Sequence, residues 1–249
     1  MKTPLFSTSA QLSKIASALR CYMRLPLSPK TIPGALLEAL IAHVHNAEVL
    51  DTYDFVDVIQ RSQRVGWQVK STKEETPVTW KRAKIPNKDR LVAASMKSKR
   101  GLQTLGDAII AFCNKHAEES FAAYPLVAIG FSRVILHADN RVTYFERLLC
   151  TRKNPQVFNP SDFTWRWTSQ KKTTGKEQKQ ALHGIHCESG RKWFAAHILG
   201  ENQLHFAGES AWWPEPGSPH AITFSLPAPS ERLSLVELIA LLERRDSAS

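Results

Sequence analysis

From Phe55 to Val69 the chain reads FVDVIQRSQRVGWQV, two apolar stretches on either side of a polar, basic turn. Phe55, Val56, Val58 and Ile59 form one strand-like run, and Val65, Trp67 and Val69 alternate through the next, so the segment predicts a β-hairpin turning at Arg61 to Arg64. A strand repeats every two residues, which fixes which side chains share a face. Gln68 and Lys70 therefore project together, on the side away from the apolar alternation. A tight turn at Ser62-Gln63 stands Asp57 opposite Gln68. A longer or bulged turn brings Asp54 there instead. Either way a carboxylate, an amide oxygen and an ammonium group converge on one spot of a half-buried hairpin, and the rest of the fold has to accommodate that polar set.

Around the hairpin the pattern alternates between helix and strand. Leu12, Ile15, Ala16 and Leu19 recur at helical spacing within 8–23, and Leu36, Leu37, Leu40, Ile41 and Val44 form a wide apolar stripe over 35–49, with Pro33 at the start and Glu38 beside the stripe. Leu102, Leu105, Ile109, Phe112 and His116 mark a long helix that ends near Tyr124-Pro125. The stretch from Leu126 to Cys150 reads as two strands joined at Ala138 to Arg141. Residues 191–226 hold several short strand-like runs, and Leu233 to Leu242 is an amphipathic helix. The polar segments 73–90 and 170–179 are expected to be surface loops, the first holding at most a short strand and the second mobile. This order predicts an α/β fold with a mixed central β-sheet flanked by helices and an added mixed β region in the C-terminal half. The expected division is a core over 1–150 and a β-rich extension over 151–249 that ends in a helix.

Charge and composition narrow the function. Residues 61–100 carry twelve Lys/Arg against three Asp/Glu and residues 151–192 carry nine against three, whereas residues 201–249 carry three against seven. Two basic blocks in a chain of net charge +10 point to a polyanion as partner. No apolar run approaches the ~20 residues that span a bilayer, and the start of the chain lacks the apolar stretch of a signal peptide. A cytoplasmic protein without a membrane partner is expected. The four cysteines form no Cys-x-x-Cys pair and read as reduced thiols. His183 and His186-Cys187 have no second cluster at zinc-finger spacing, and His43 and His45, two apart on a helix, point away from each other. There is no Walker loop, dinucleotide fingerprint or serine-hydrolase elbow.

An aspartate, an amide carbonyl and a lysine on one hairpin suit metal-assisted phosphodiester hydrolysis. Hard oxygen donors suit Mg2+, the metal acidifies water and offsets charge at phosphorus, and a neighbouring lysine stabilises the pentacovalent centre. The pattern Asp-(x)n-Gln-x-Lys, preceded by a helix bearing Glu38, resembles the PD-(D/E)xK nuclease superfamily over roughly residues 34–150. It is most similar to type II restriction endonucleases. The resemblance implies a restriction-endonuclease-like fold, Asp54 as the metal-binding acid with Asp57 as its rival, Gln68 in the second acidic position, Lys70 as the catalytic lysine and Glu38 as an auxiliary acid. Tyr53 stands where the family usually has proline, and Gln68 where it usually has an acid. The implied activity is Mg2+-dependent cleavage of double-stranded DNA, in a bacterial cytoplasm, by a homodimer or by a monomer that nicks twice, paired functionally with a DNA methyltransferase. A repair or modification-dependent nuclease and a catalytically degenerate DNA-binding protein are the alternatives.

Two stretches interleave aromatic and basic residues in a way that suits phosphate and groove contact. The first gives Trp80, Lys81, Arg82 and Lys84, after Lys73 at the end of the hairpin strand. The second gives Trp165, Arg166, Lys171 and Lys172. These are the expected DNA-binding residues.

Overall fold

The computed structural model describes residues 5–28, 31–51, 54–82, 84–169, 171–173, 176–200 and 202–246. In chain order the elements begin with helices α1 (Ser9–Arg24) and α2 (Gly34–His45), followed by strands β1 (Glu48–Val49), β2 (Val58–Gln60), β3 (Val65–Lys73) and β4 (Val78–Arg82). Helices α3 (Lys88–Ser95) and α4 (Lys99–Ala123) lead to β5 (Ala128–Leu136), β6 (Arg141–Thr151) and β7 (Phe163–Trp167). Then come β8 (Lys171–Thr173), β9 (Lys176–Gln178), β10 (Leu182–His186), β11 (Lys192–His197), β12 (Gln203–Phe206), β13 (Ala221–Ser225) and helix α5 (Leu235–Asp246). No helix among the described residues is long and apolar enough to cross a membrane.

These elements make two compact units, each discontinuous in sequence. One comprises Met1–Glu75, Ala128–Leu149 and Pro214–Ser249, the other Thr76–Val127 and Cys150–Trp213. A single cut at residue 150 describes neither, because β3 and β5 are neighbours in one sheet although residues 76–127 between them belong to the other unit.

The first unit is built on a six-stranded sheet of order β1-β2-β3-β5-β6-β13. It is mixed: β1, β2 and β3 pair antiparallel, β3 and β5 pair parallel along their whole length, and β13 pairs antiparallel with β6. Parallel neighbours need a long crossover, and residues 76–127 provide it. The predicted period of two is realised on β3. Val65, Trp67 and Val69 face a core with Leu12, Ile15, Leu19 and Met23 of α1, Leu37 and Ile41 of α2, and Val134 and Tyr144 of β5 and β6. The apolar stripes of α1 and α2 are buried by this face, as helices with one apolar side require. Thr8 starts α1 through a capping box with Gln11, and Asn46 ends α2 in the left-handed region at φ 50°.

The second unit holds a five-stranded sheet of order β4-β12-β11-β10-β7, antiparallel throughout, and a separate two-stranded pairing of β8 with β9. The sheet is thus not the mixed region expected of the C-terminal half, and it takes an edge strand from the N-terminal half. Its inner face carries Val78, Trp80, Phe163, Trp165, Leu182, Phe194, Leu204 and Phe206, all buried. Phe158 fills the middle of an aromatic cluster with Trp80, Phe194, Phe206 and Trp212. Helix α4 approaches closely at Gly106, where any side chain would overlap the Trp165 indole.

Three local expectations are corrected. Residues 78–82 form a paired strand whose alternate residues Val78 and Trp80 are core, and Lys88 opens a helix that the Pro/Lys-rich composition concealed. The expected mobile loop over 170–179 contributes the two strands β8 and β9, with residues 170, 174 and 175 outside the described set.

Candidate active site

The hairpin pairs Val58 with Trp67, Ile59 with Gly66 and Gln60 with Val65. Its turn is stabilised by Arg64 at φ 58°, whose amide donates to the Arg61 carbonyl (3.2 Å), and by Gln60 Oε1, which accepts from the Ser62 amide and hydroxyl at 2.9 Å. This register leaves Asp57 next in line, opposite Gln68. The Asp57 amide donates to the Trp67 carbonyl (2.9 Å), and its Oδ2 accepts from the Val69 amide at 2.6 Å. The carboxylate thus continues the hydrogen-bonded ladder where β2 has ended.

The same Oδ2 lies 3.7 Å from Lys70 Nζ, and both side chains are only 22–23% exposed. Glu38, on the first turns of α2, belongs to the same electrostatic neighbourhood. Burial pushes its carboxyl above the usual range, the Asp57 charge pushes it further, and Lys70 pulls it back. Gln68 is 2% exposed and its Oε1 is buried without a hydrogen-bond partner. An orphan carbonyl oxygen of this kind loses the full free energy of its lost water contacts, about 1–3 kcal/mol, unless something else takes its lone pair. Asp57, Lys70 and Glu38 therefore form one group, with an unsatisfied acceptor in the register position facing Asp57. Asp54 is exposed, on the bend before β2. Tyr53 lies outside the described residues. Between the two aspartates left open by the sequence, the register and the Lys70 contact favour Asp57.

A hard divalent cation such as Mg2+ fits this set by donor chemistry, since a carboxylate and an uncharged carbonyl oxygen are what such an ion takes, with water completing its shell. Among the described residues no group of three His, Cys, Asp or Glu is placed to hold a metal ion. Asp57 and Gln68, with Glu38 nearby, are the protein donors on offer.

A second cation beside Lys70 escaped the sequence reading. Arg133 on β5 is the register partner of Lys70 across the parallel pair, is fully buried, and donates from Nη2 to Thr72 Oγ1 at 2.6 Å. Its only signal was an arginine inside the apolar run of β5. The opposite face of the sheet buries another polar cluster that the sequence did not announce. Glu146 accepts from Ser7 through its amide and hydroxyl (both 2.6 Å) and from the Tyr144 hydroxyl (2.7 Å), and lies 3.6 Å from His45 Nε2. Burial pushes the Glu146 carboxyl up, but the bonds from His45, Ser7 and Tyr144 outweigh it and hold it below the ordinary range. All four residues are buried, so this cluster anchors the chain start to α2 and β6.

The expected DNA-binding residues divide. Lys73, Arg82, Lys84 and Arg166 are exposed. The side chains of Lys81, Lys171 and Lys172 lie outside the described set. Trp80 and Trp165 are corrected: at 4% and 6% exposure they are core residues of the second unit, because alternate positions of a half-buried strand point inward whatever basic residues lie between them. His186, expected to be structural or on the surface, stacks on Trp193 with ring centroids 4.1 Å apart. Compared with protein-family models, curated proteins and solved structures, the chain matches none.

Proposed function

We propose that this protein is a metal-dependent phosphodiester hydrolase acting on double-stranded DNA, an endonuclease of the restriction-endonuclease-like type. The observation that carries the reading is the grouping of Asp57, Lys70 and Glu38 around a hairpin position where the Gln68 carbonyl oxygen is buried and unpaired. Asp57 and Gln68 would hold Mg2+. When bound, the ion supplies Lewis-acid stabilisation of the phosphate and a more acidic water. Lys70, anchored on Asp57, presents a fixed positive charge to the oxygens of a scissile phosphate and orients the attacking water. One P–O bond forms to that water and the P–O bond to the sugar oxygen breaks. Glu38, whose carboxyl is raised above its ordinary range by burial and by Asp57, would serve as an auxiliary acid or base beside Asp57 and Lys70. A homodimer would let two such sites cut both strands of a two-fold site. A cognate methyltransferase belongs with the type II restriction reading.

The test is plasmid cleavage with Mg2+ or with EDTA. Discrete, metal-dependent products are expected, and Lys70→Ala should reduce cleavage at least a hundredfold, the scale of a lost charge-stabilising group, while DNA is still retained in a gel shift. Full cleavage by Lys70→Ala would reject the assignment. One observation favours a second reading, a DNA-binding protein with a degenerate site: the uncharged Gln68 stands where the nuclease pattern has an acid. Retardation without cleavage at any Mg2+ concentration would select it.

A further inference from the structure

The five strands of the second unit's sheet contain no aspartate or glutamate. Their register sorts the side chains into rows. One row runs Val78, Phe206, Phe194, Gly184, Trp165 and is the buried face. The next runs Thr79, His205, Ala195, His183, Arg166, and beside it lie Arg82, Gln203 and His197. Every position in these two outer rows is at least partly solvent-accessible. The rings of His197 and His205 meet edge to face at 5.2 Å. Exposed Lys192, at the start of β11, adds to the same field. After burial, the charges of Lys192, Arg166 and His197 are what lower the His183 imidazole.

Such a face suits one kind of partner. Among the described residues none of the large exposed apolar side chains lies on these strands, and Ile185 is only partly accessible, so the face offers little to a lipid interior or to an apolar protein groove. A single-stranded nucleic acid is held by bases stacking on exposed aromatic rings, and here Trp80, Phe163, Trp165, Phe194 and Phe206 are buried, while the partly exposed Trp167 donates to Ser95 Oγ and the partly exposed Trp193 is already stacked on His186. Cations and hydrogen-bonding imidazoles without a competing carboxylate match the phosphates of a duplex. Five strands at a spacing of ~4.8 Å span roughly 19 Å, too broad to enter a groove ~12 Å wide, so contact is with the backbone.

We infer that the outer face of this sheet, through Arg166, Lys192, Arg82, His183, His197 and His205, is a duplex-DNA phosphate-binding surface. It shares its partner with the nuclease reading but needs no catalysis, so its test is run in EDTA. Binding of a fluorescent random-sequence duplex is followed by anisotropy between 50 and 200 mM KCl. Arg166→Gln with Lys192→Gln should lower the slope of log affinity against log salt by about 1.8, two phosphate contacts at ~0.9 each, and weaken binding roughly tenfold. Arg166→Lys with Lys192→Arg should keep the slope, and circular dichroism checks that each variant is folded. His183→Gln with His205→Gln should weaken binding as well. An unchanged slope and affinity in the Gln variants would overturn the inference, as would tighter binding to a single strand, or Arg166-dependent binding to phosphatidylserine vesicles in place of duplex. Lost cleavage with intact EDTA binding counts only against the nuclease reading, and lost binding by wild type in EDTA with intact cleavage counts only against this surface.

Discussion

An amide at position 68 cannot neutralise a cation, so a site built on Gln68 holds its metal more weakly than one built on glutamate. Its Oε1 is nevertheless buried without a hydrogen-bond partner, in the register position facing Asp57. Gln68→Glu should therefore lower the Mg2+ concentration for half-maximal cleavage about tenfold or more, measured by metal titration. If cleavage is lost instead, the amide has a role that a charge disrupts. Asp57→Asn should abolish cleavage, whereas Asp54→Asn should leave most of it. The reverse order would restore Asp54 as the metal-binding acid. The residues of this site were legible in the sequence because strand period fixes the facing of Gln68 and Lys70. The choice between the aspartates was not, because it rests on a three-residue difference in register that only the closed turn sets.

Strand β7 and helix α4 pack so closely that Gly106 rests on the Trp165 indole. Alanine there raises helix propensity by up to ~1 kcal/mol but forces a methyl into an occupied space at about 1–3 kcal/mol. Packing wins, and Gly106→Ala should lower stability by about 1–2 kcal/mol in urea unfolding. An unchanged midpoint would mean that Trp165 has room to move. Coverage of this kind, by α4 over Trp165 and by Phe158, Phe206 and Trp212 over Trp80, explains why the two stretches misled. Their aromatic and basic interleaving also describes a two-faced strand with an aromatic core side, and local sequence does not say whether the aromatic side is covered.

For the whole molecule, acid stability offers a further test. Glu146 is held below its ordinary value of 4.5 in the folded state, so its contribution is present in full above that value and is lost as pH falls through the lowered one. The stability gap between wild type and Glu146→Gln should be widest near pH 6–7, about 1–3 kcal/mol for a charged acceptor with three donors, and should narrow progressively as pH falls below 4.5. A gap that does not change with pH would remove the charge from the account. By itself the sequence determined α1, α2, α4, α5 and the strands of the central hairpins, through the periods of their apolar residues, and which side chains of the first hairpin share a face, because those are local consequences of backbone geometry; α3, β4, β8 and β9, in polar segments without such a period, it did not. Tertiary structure alone decided the parallel pairing of β3 with β5 across residues 76–127, the recruitment of β4 into the second sheet, the burial of Arg133 beside Lys70 and the inward turn of the tryptophans. Each of these depends on what covers a surface from far along the chain, and that is settled by the packing of whole elements.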